Sequence, residues 1–320
     1  MPEIRVDPLS GLRTIIAPAR AGRPNAYPEP EPSAGEDPFG PGNESLTPPE
    51  RYALRDEQTD PASWRVRVFD NLYPALDESS PEPEPDAKPD LFTSLSARGA
   101  HEVIVSSRRP VRSLAQLSAA ELAEAVATWR ERMRAHANAA CLHVSVNEGY
   151  GGGASIPHTH AQLYALDFVP ALIARERERF AAYATRTMGA NLLSDIVQEE
   201  VRRRERTVAI DDEAVLIAPF ASWLPYQLMI APRRPRMRYE DDGPSGASLL
   251  HDALSRLARA LGASVPLNLW VRTAPRGAEH FCWRIDIVPR LSGLAGLELG
   301  TGVHLNSVAP ETAAAELRAA

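Results

Sequence analysis

Two histidines and a glutamine stand at alternate positions of one short segment, and this spacing is the most specific chemical signal in the chain. His158, His160 and Gln162 belong to the run Ile-Pro-His-Thr-His-Ala-Gln. In an extended strand, residues two apart project from the same face. The residues between them are small or apolar, as an inward-packed face requires. The segment therefore predicts a strand with two imidazoles and an amide on one face.

This set of side chains suits chemistry at phosphorus. A neutral imidazole can attack phosphorus and form a phosphoramidate, provided that a hydrogen bond orients its other nitrogen. Gln162 can donate to phosphoryl oxygens as charge develops, without supplying a general acid that would hasten loss to water. We therefore predict catalytic roles for His160, Gln162 and His158. A single His-x-His pair is about as often structural or metal-binding, so that alternative stays open.

A glycine-rich turn precedes the segment and favours a phosphate site. Gly152 and Gly153 lie in this turn, and Ser155 follows them. Glycines allow the backbone to approach a ligand closely, with N–H groups available to phosphate oxygens. The turn and the serine together favour phosphate over a bare metal pair.

Elements around this segment can be predicted from periodicity. Residues 64–69, 101–107, 141–147 and 156–166 are predicted strands. A helix should begin at Ser118, because Ser118 and Glu121 have the spacing of a capping box. Apolar residues then follow at intervals of four, three and four residues, which places them on one face of the helix.

A similar order of elements recurs downstream. Strands are predicted at 226–231, 267–272 and 281–288, with a helix whose leucines lie at 250, 254, 257 and 261. One long helix, from about 170 to 206, should join the halves. The fold class is therefore predicted as α+β, with two tandem units related by internal duplication, each an antiparallel sheet with a packed helix. The predicted domains are residues 1–185, which hold the active-site strand, and 186–320, a degenerate copy.

Composition excludes several classes of protein. The net charge is −7, and residues 28–90 hold sixteen acidic against five basic residues. No basic cluster is interleaved with aromatics, so nucleic acid is not an expected partner. The one lysine, Lys88, lies in a Pro-rich tract, which argues against a P-loop or a Schiff base. Two cysteines, no apolar run long enough to span a bilayer and no signal peptide predict a cytoplasmic protein without membrane contact.

An ordered series of motifs resembles the galactose-1-phosphate uridylyltransferase family of the histidine-triad superfamily. In that family the motif ends in Gln where the hydrolase branch has a third His, as it does here at Gln162. The further landmarks are residues 7–11, 17–20, 38–44, 69–76, 99–103 and 296–302. The resemblance implies two histidine-triad-like units, the second of them degenerate.

The resemblance also implies a double displacement. His160 would attack the α-phosphorus of a nucleotide-sugar and release a sugar 1-phosphate. A second sugar 1-phosphate would then take the nucleotidyl group, expected to be UMP, from His160. Gln162 and Ser155 would hold phosphate oxygens. The expected partners are thus a nucleotide-sugar and a sugar 1-phosphate, and a homodimer is left open.

Other ligand contacts are implied by matching positions. Asn71 and Asn147 match residues near the nucleotide and phosphates, and Arg20 and Arg23 match an arginine pair near the phosphates. The arginines could equally lie in a solvated loop, since their surroundings are rich in proline. Asn71 could equally be a turn residue.

The chain departs from the family at its first metal site. That site usually has two cysteines and two histidines, and here Asp37 and Gly40 stand at the cysteine positions. His101 and His158 remain. Losing two thiolates removes the strongest zinc donors, so we expect no stable structural zinc and no certain cofactor. Asp37, His101 and His158 stay weak zinc candidates, and His158 would otherwise be a packed neighbour of His160.

A second departure lies near the C-terminus. Relatives carry His-Trp-His where this chain has Cys282, Trp283 and Arg284. A guanidinium cannot ligate a metal, so Arg284 is predicted to pair with an acid such as Asp286 on the same strand face. Cys282 is expected to be a small buried side chain rather than a ligand.

Three functions remain after these observations. The first is a nucleotidylyltransferase acting on sugar 1-phosphates. The second is a histidine-triad phosphorylase or hydrolase that cleaves a nucleotide-sugar or dinucleotide. The third is a non-catalytic nucleotide-binding protein with eroded metal sites. Gln162 favours the first, although the glycine-rich motif near the C-terminus raises the chance of an adenylyl-transferring relative.

Overall fold

The computed structural model describes residues 2–20, 35–57, 60–84, 88, 91–243, 245–262 and 265–320, which form both strands and helices. The strands are β1 (Glu3–Val6), β2 (Arg13–Ile16), β3 (Glu50–Arg55), β4 (Trp64–Asp70), β5 (Gly99–Val105), β6 (Cys141–Glu148), β7 (His160–Leu166), β8 (Thr207–Ile210), β9 (Ala214–Ile217), β10 (Leu228–Pro232), β11 (Leu267–Arg272), β12 (Arg284–Pro289) and β13 (His304–Asn306). The α-helices are α1 (Ala119–Ala135), α2 (Ala171–Thr187), α3 (Leu192–Arg203), α4 (Ala247–Leu261), α5 (Gly296–Thr301) and α6 (Pro310–Ala319).

One antiparallel sheet runs through both halves of the described chain. Its ten strands lie in the order β3-β4-β5-β7-β6-β11-β12-β10-β9-β8. From one edge of the sheet, the first five strands lie in the order β3-β4-β5-β7-β6. From the other edge, the remaining five lie in the matching order β8-β9-β10-β12-β11. The two sets meet where β6 pairs with β11. The α+β class and the antiparallel strand pairing predicted from the sequence are therefore confirmed, but the two predicted sheets are joined into one.

Helices α1 and α4 pack side by side against one face of this sheet. Both carry the predicted four, three, four spacing, and their buried side chains join one core: Leu122, Val126, Trp129, Met133, Leu250, Leu254 and Leu257. The capping box predicted for α1 is present, with Ser118 and Glu121 bonding each other's backbone N–H. Alternate residues of the strands, such as Val144 and Leu163, complete the core.

The predicted long helix between the halves is wrong, because the chain forms two helices there. Helix α2 ends at Thr187. The next residue, Met188, has a left-handed φ of 57°, and Gly189 follows with a φ of 108°. Asn191 then caps α3 by accepting a hydrogen bond from the backbone N–H of Ser194. The arginine- and glutamate-rich composition favours helix throughout, but these backbone conformations end one helix and begin the next.

Three predicted strands begin later than expected. Strand β7 starts at His160, since residues 155–158 form a bend rather than extended chain. Strand β10 starts at Leu228, after Tyr226 adopts a φ of 59° that no strand residue has. Strand β12 starts at Arg284 instead of residue 281.

A small sheet ties the first residues of the chain to the last. Strand β2 pairs with β1 and, in parallel, with β13. The Thr14 hydroxyl donates to the carbonyl of Ala221 at 3.1 Å, and the buried Asn306 amide donates to the carbonyls of Ser222 and Leu224. These contacts place residues 3–16 beside the C-terminal half. Among the described residues, no helix has both the length and the apolar character needed to cross a membrane.

Buried charges hold α2 against the other face of the C-terminal half. The guanidinium of Arg284 donates to both carboxylate oxygens of Glu176 on α2, at 3.0 and 3.1 Å, and to Asp286 at 3.0 Å. Burial raises the pKa of Asp286. Burial would also raise the pKa of Glu176, but the charges of Arg284 and Arg272 outweigh it and hold that pKa below its usual range. The predicted pairing of Arg284 with Asp286 is thus confirmed, and Cys282 is a buried member of the apolar cluster nearby.

Replacing Arg284 with methionine should strongly destabilise the fold. The change removes the hydrogen-bonded cation of Asp286 and leaves Glu176 with Arg272, whose Nε lies 3.5 Å away, and breaking a buried ion pair typically costs about 3–5 kcal/mol of unfolding free energy. Urea denaturation at pH 7 measures this loss. Near about pH 4 the difference from the wild type should shrink, because Glu176 and Asp286 can then be protonated, and a proton taken up preferentially by the folded variant stabilises it.

Arg202→Met is the matched control. Arg202 pairs with Glu199 on the surface of α3, where its side chain is 71% exposed, so its loss should change stability little. If Arg284→Met were no more destabilising than Arg202→Met, the buried ion cluster would not stabilise the C-terminal half.

Candidate active site

Strand β7 presents a polar face opposite its apolar one. His160, Gln162 and Tyr164 alternate along this strand with Ala161 and Leu163, which pack into the core under the helices. The predicted placement of His160 and Gln162 on one face is therefore confirmed. The sequence predicted His158 on the same strand face, and this is wrong. His158 lies in the bend before the strand, so strand alternation does not set its position.

One imidazole nitrogen of His160 is held by the backbone. His160 Nδ1 lies 2.9 Å from the carbonyl oxygen of His158, to which it can only donate. His160 is 7% exposed, and its ring makes a T-shaped contact with that of Phe39, with 5.0 Å between ring centroids. Burial lowers the pKa of His160, which favours the neutral ring. With the proton fixed on Nδ1, the lone pair of Nε2 is left for nucleophilic attack.

The His158 ring joins two loops. Its Nδ1 lies 2.8 Å from Oδ2 of Asp37, and its Nε2 lies 2.8 Å from the carbonyl oxygen of Ser107. Both ring nitrogens thus face an oxygen acceptor. His158 is buried and hydrogen-bonded beside His160, as expected, because its ring contacts the loop at Asp37 and its carbonyl accepts from His160. A catalytic role for His158 stays a prediction.

The amide of Gln162 has a fixed orientation. The backbone N–H of Ala75 donates to Nδ1 of His101 at 3.1 Å, so the ring proton of His101 must sit on Nε2. That proton points to Oε1 of Gln162 at 2.9 Å, and the Tyr164 hydroxyl donates to the same oxygen at 2.8 Å. Because both donors occupy the carbonyl oxygen, the NH2 group of Gln162 remains to face a ligand.

The residues at the family's first metal site do not fit a zinc ion. Asp37 bonds directly to His158, both nitrogens of His101 are occupied by Gln162 and Ala75, and Gly40 has no side chain. In the described part of the chain, no three His, Cys, Asp or Glu side chains gather in a metal-binding arrangement. Of the three weak candidates, the structure brings only Asp37 and His158 together.

Asn147 belongs to a network that sequence reasoning missed. Its Oδ1 accepts from Nδ2 of Asn268 at 2.7 Å, and the same nitrogen donates to the carbonyl of Gly152 at 2.7 Å. Arg290 Nη1 donates to Oδ1 of Asn268 at 2.7 Å. Asn268 and Arg290 lie in the C-terminal half, where the only signal available was an Asn in an apolar strand.

The glycine turn packs closely against the neighbouring strand β11. A Cβ on Gly152 would lie 2.6 Å from the carbonyl oxygen of Leu267 on β11, so no side chain fits there. Gly153 has a φ of 84°, in the left-handed region that favours glycine, and open space surrounds it. The close approach that Gly152 permits is therefore to a neighbouring strand.

The remaining predicted residues occupy different surroundings. Asn71 is both a turn residue, accepting from the backbone N–H of Tyr73, and a neighbour of the site, with its amide nitrogen 3.2 Å from Nε2 of His101. Ser155 is exposed in the bend before His158. Arg20 is exposed at the end of a short 3-10 helix that follows the small sheet, and Arg23 lies outside the described residues. A phosphate role for Arg20, Arg23 and Ser155 stays a prediction.

A buried carboxylate, Glu148, also escaped the sequence reasoning. Its Oε1 accepts from the backbone N–H of Leu114 at 2.6 Å and from the hydroxyl of Thr159 at 2.8 Å. The backbone N–H of Thr159 in turn donates to the carbonyl of Val111. Burial raises the pKa of Glu148. These bonds hold Thr159, the residue between the two histidines. In the sequence, the only sign of this role was an acidic residue at the end of a predicted strand.

Two family models and several known proteins match this chain. The model described as galactose-1-phosphate uridyl transferase, N-terminal domain, matches residues 1–170, and that of a domain of unknown function (DUF4921) matches residues 90–319. The ADP-glucose phosphorylase of Arabidopsis thaliana is 29% identical over 338 residues, covering 99% of this chain and 92% of the relative. The galactose-1-phosphate uridylyltransferase of Haemophilus influenzae is 27% identical over 299 residues, covering 89% and 82%.

A solved structure matches the whole fold. The crystal structure of the Arabidopsis ADP-glucose phosphorylase with bound ADP-glucose has a TM-score of 0.84 to this protein at 27% identity, covering 100% of this chain and 99% of that one. The first family model spans more than half of the chain, from the first residue through the polar face of β7. The protein therefore belongs to the galactose-1-phosphate uridyl transferase family.

Proposed function

We propose that this protein transfers a nucleoside monophosphate from a nucleotide-sugar to a phosphate-bearing acceptor, through a covalent intermediate on His160. The observation that carries this proposal is the bond from His160 Nδ1 to the carbonyl of His158, which leaves Nε2 as the nucleophile. Family membership supports it, because the relatives are named for uridylyl transfer and for phosphorolysis of ADP-glucose.

The reaction divides into two displacements at one phosphorus. His160 Nε2 forms a bond to the α-phosphorus, and the bond to the bridging oxygen breaks, so that the sugar 1-phosphate leaves with the electron pair. A phosphate oxygen of the acceptor then attacks the same phosphorus and releases His160. The free NH2 groups of Gln162 and Asn147 donate to the non-bridging oxygens, where negative charge grows in each transition state.

Two acceptors are candidates for the second displacement. The first, expected from the sequence, is a sugar 1-phosphate that receives UMP, and the uridylyltransferase relatives support it. The second is inorganic phosphate, which would make the protein a phosphorylase of an adenylyl sugar. The similarity to the Arabidopsis ADP-glucose phosphorylase over 99% of this chain favours this second candidate. Hydrolysis is disfavoured, because Gln162 stands where hydrolases carry a histidine.

A two-by-two assay separates these candidates. UDP-glucose and ADP-glucose, each labelled at the α-phosphorus, are incubated with galactose 1-phosphate or with inorganic phosphate. A uridylyltransferase uses the first donor with the first acceptor, and a phosphorylase forms labelled ADP from the second pair. Acid-labile label on the protein without acceptor supports the covalent route. A protein that takes label from neither donor, with or without acceptor, would contradict the proposal.

Further expectations from the sequence extend this proposal. We infer that the two halves arose by duplication, and the mirrored strand order supports this. The division into residues 1–185 and 186–320 falls in the last turn of α2, between the two sets of five strands. A cytoplasmic location and a homodimer stay predictions.

Replacing His160 with alanine should abolish nucleotidyl transfer. The nucleophile is lost, so the rate should fall by at least about 10⁴-fold, while the fold survives because the ring faces the site and not the main core. His160→Gly supplied with a nucleotide imidazolide should regain the second displacement, since the activated phosphorus then arrives preformed. Rates of labelled product formation measure both effects.

His251→Ala is the control for this prediction, because His251 lies on α4 on the opposite side of the sheet. It should keep wild-type transfer. Full activity of His160→Ala would exclude a nucleotidyl-His160 intermediate.

Replacing Gln162 with histidine should shift the balance from transfer to hydrolysis. The change removes a neutral donor, whose loss typically costs about 10²–10³-fold in rate, and places a protonatable ring beside the leaving oxygen. The ratio of labelled transfer product to free nucleoside monophosphate measures the shift. An unchanged ratio would show that Gln162 does not protect the intermediate from water.

A further inference from the structure

We propose that Asn268 and Arg290 of the C-terminal half are positioning residues that hold the amide of Asn147 with its NH2 group toward the substrate phosphates. The inference rests on the proposed function and adds to it a dependence of the N-terminal site on the C-terminal half. Asn268 stands directly opposite Asn147 in the β6–β11 ladder, so both side chains project from the same face of the sheet. That face is the one that carries Gln162, because Ser145, two residues before Asn147, stands opposite Gln162.

Two unambiguous groups fix the orientation of both amides. The guanidinium of Arg290 can only donate, so the atom of Asn268 that faces it at 2.7 Å must be the oxygen. The carbonyl of Gly152 can only accept, so the atom of Asn268 that faces it at 2.7 Å must be the nitrogen. The second hydrogen of this nitrogen points to Asn147, which must therefore present its oxygen. The NH2 group of Asn147 is left as the outward donor.

This orientation matters because an amide offers a phosphate opposite interactions on its two sides. The NH2 group attracts a phosphate oxygen, whereas the carbonyl oxygen repels it. An amide free to rotate would present the wrong atom part of the time and would lose binding and catalysis. Arg290 is itself anchored, since its backbone N–H donates to the carbonyl of Pro266 at 2.7 Å. We call this chain of hydrogen bonds the relay. It runs from Arg290, just after β12, through Asn268 on β11 to Asn147 on β6.

The isosteric variant Asn268→Asp tests this relay. A carboxylate keeps the pairing with Arg290 but cannot donate, so the Asn147 oxygen loses its partner and the amide is free to turn. We expect the second-order rate constant for labelling of the protein by α-labelled UDP-glucose or ADP-glucose to fall about 10-fold, which corresponds to one lost hydrogen bond to a charged group. Urea denaturation should show that the variant still folds. Asn138→Asp, the same change at an exposed residue after α1, should have wild-type kinetics.

A double-mutant cycle separates positioning from a general structural role. If Asn268 acts through Asn147, adding Asn268→Asp to Asn147→Ala should cause no further loss. Losses that multiply, or an unchanged rate in Asn268→Asp alone, would overturn the relay. The same cycle is measured on the dissociation constants of UMP and AMP by calorimetry, which needs no chemical step. Absence of labelling in the wild type would then contradict the proposed function, while the binding cycle would still decide on the relay.

Discussion

The antiparallel pairing of β6 with β11 is the constraint on which the rest of the site depends. Among the described strands, it is the one ladder that joins the two sets of five into a single sheet. Its register sets Asn147 opposite Asn268 and leaves the backbone of Leu267 so close to Gly152 that no side chain fits between them. A slip of one residue would turn every side chain of β11 to the other face. The same register therefore fixes the core beneath the sheet and the amides above it.

The residues that match the family's metal site connect the segments around His160 by hydrogen bonds and ring stacking. Asp37 and His158 pair with each other and connect the loop near Phe39 to the bend before β7. His101 stacks on Tyr164 and holds Gln162. The first link joins the loop at Asp37 to the bend before β7, and the second joins β5 to β7, so the two contacts involve different residues. The geometry around His160 is thus maintained by at least two independent contacts.

The sequence predicted what depends on short-range periodicity and missed what depends on register or on single backbone conformations. Alternation placed His160 and Gln162 on one face, and the four, three, four spacing placed the buried face of α1. The break after α2 depends on one left-handed residue, Met188, in a sequence that otherwise favours helix. Asn268 and Asn147 are far apart in the chain, so no local pattern could reveal that they meet. The pairing of Arg284 with Asp286 could be predicted because it lies within one strand.

The amides of Gln162 and Asn147 are neutral donors, and this agrees with the chemistry of the leaving group in the proposed reaction. The carbonyl oxygens of Gln162 and Asn147 are both occupied by protein donors, so the two amides present only N–H groups. A sugar 1-phosphate is already ionised near neutral pH and can leave without being protonated, so the first displacement needs no general acid. What the transition state requires is stabilisation of charge on the non-bridging oxygens, which preorganised amides supply without a titratable group. In the proposed reaction, a site built in this way would favour an acceptor that carries its own negative oxygen over water, which would need a base to deprotonate it.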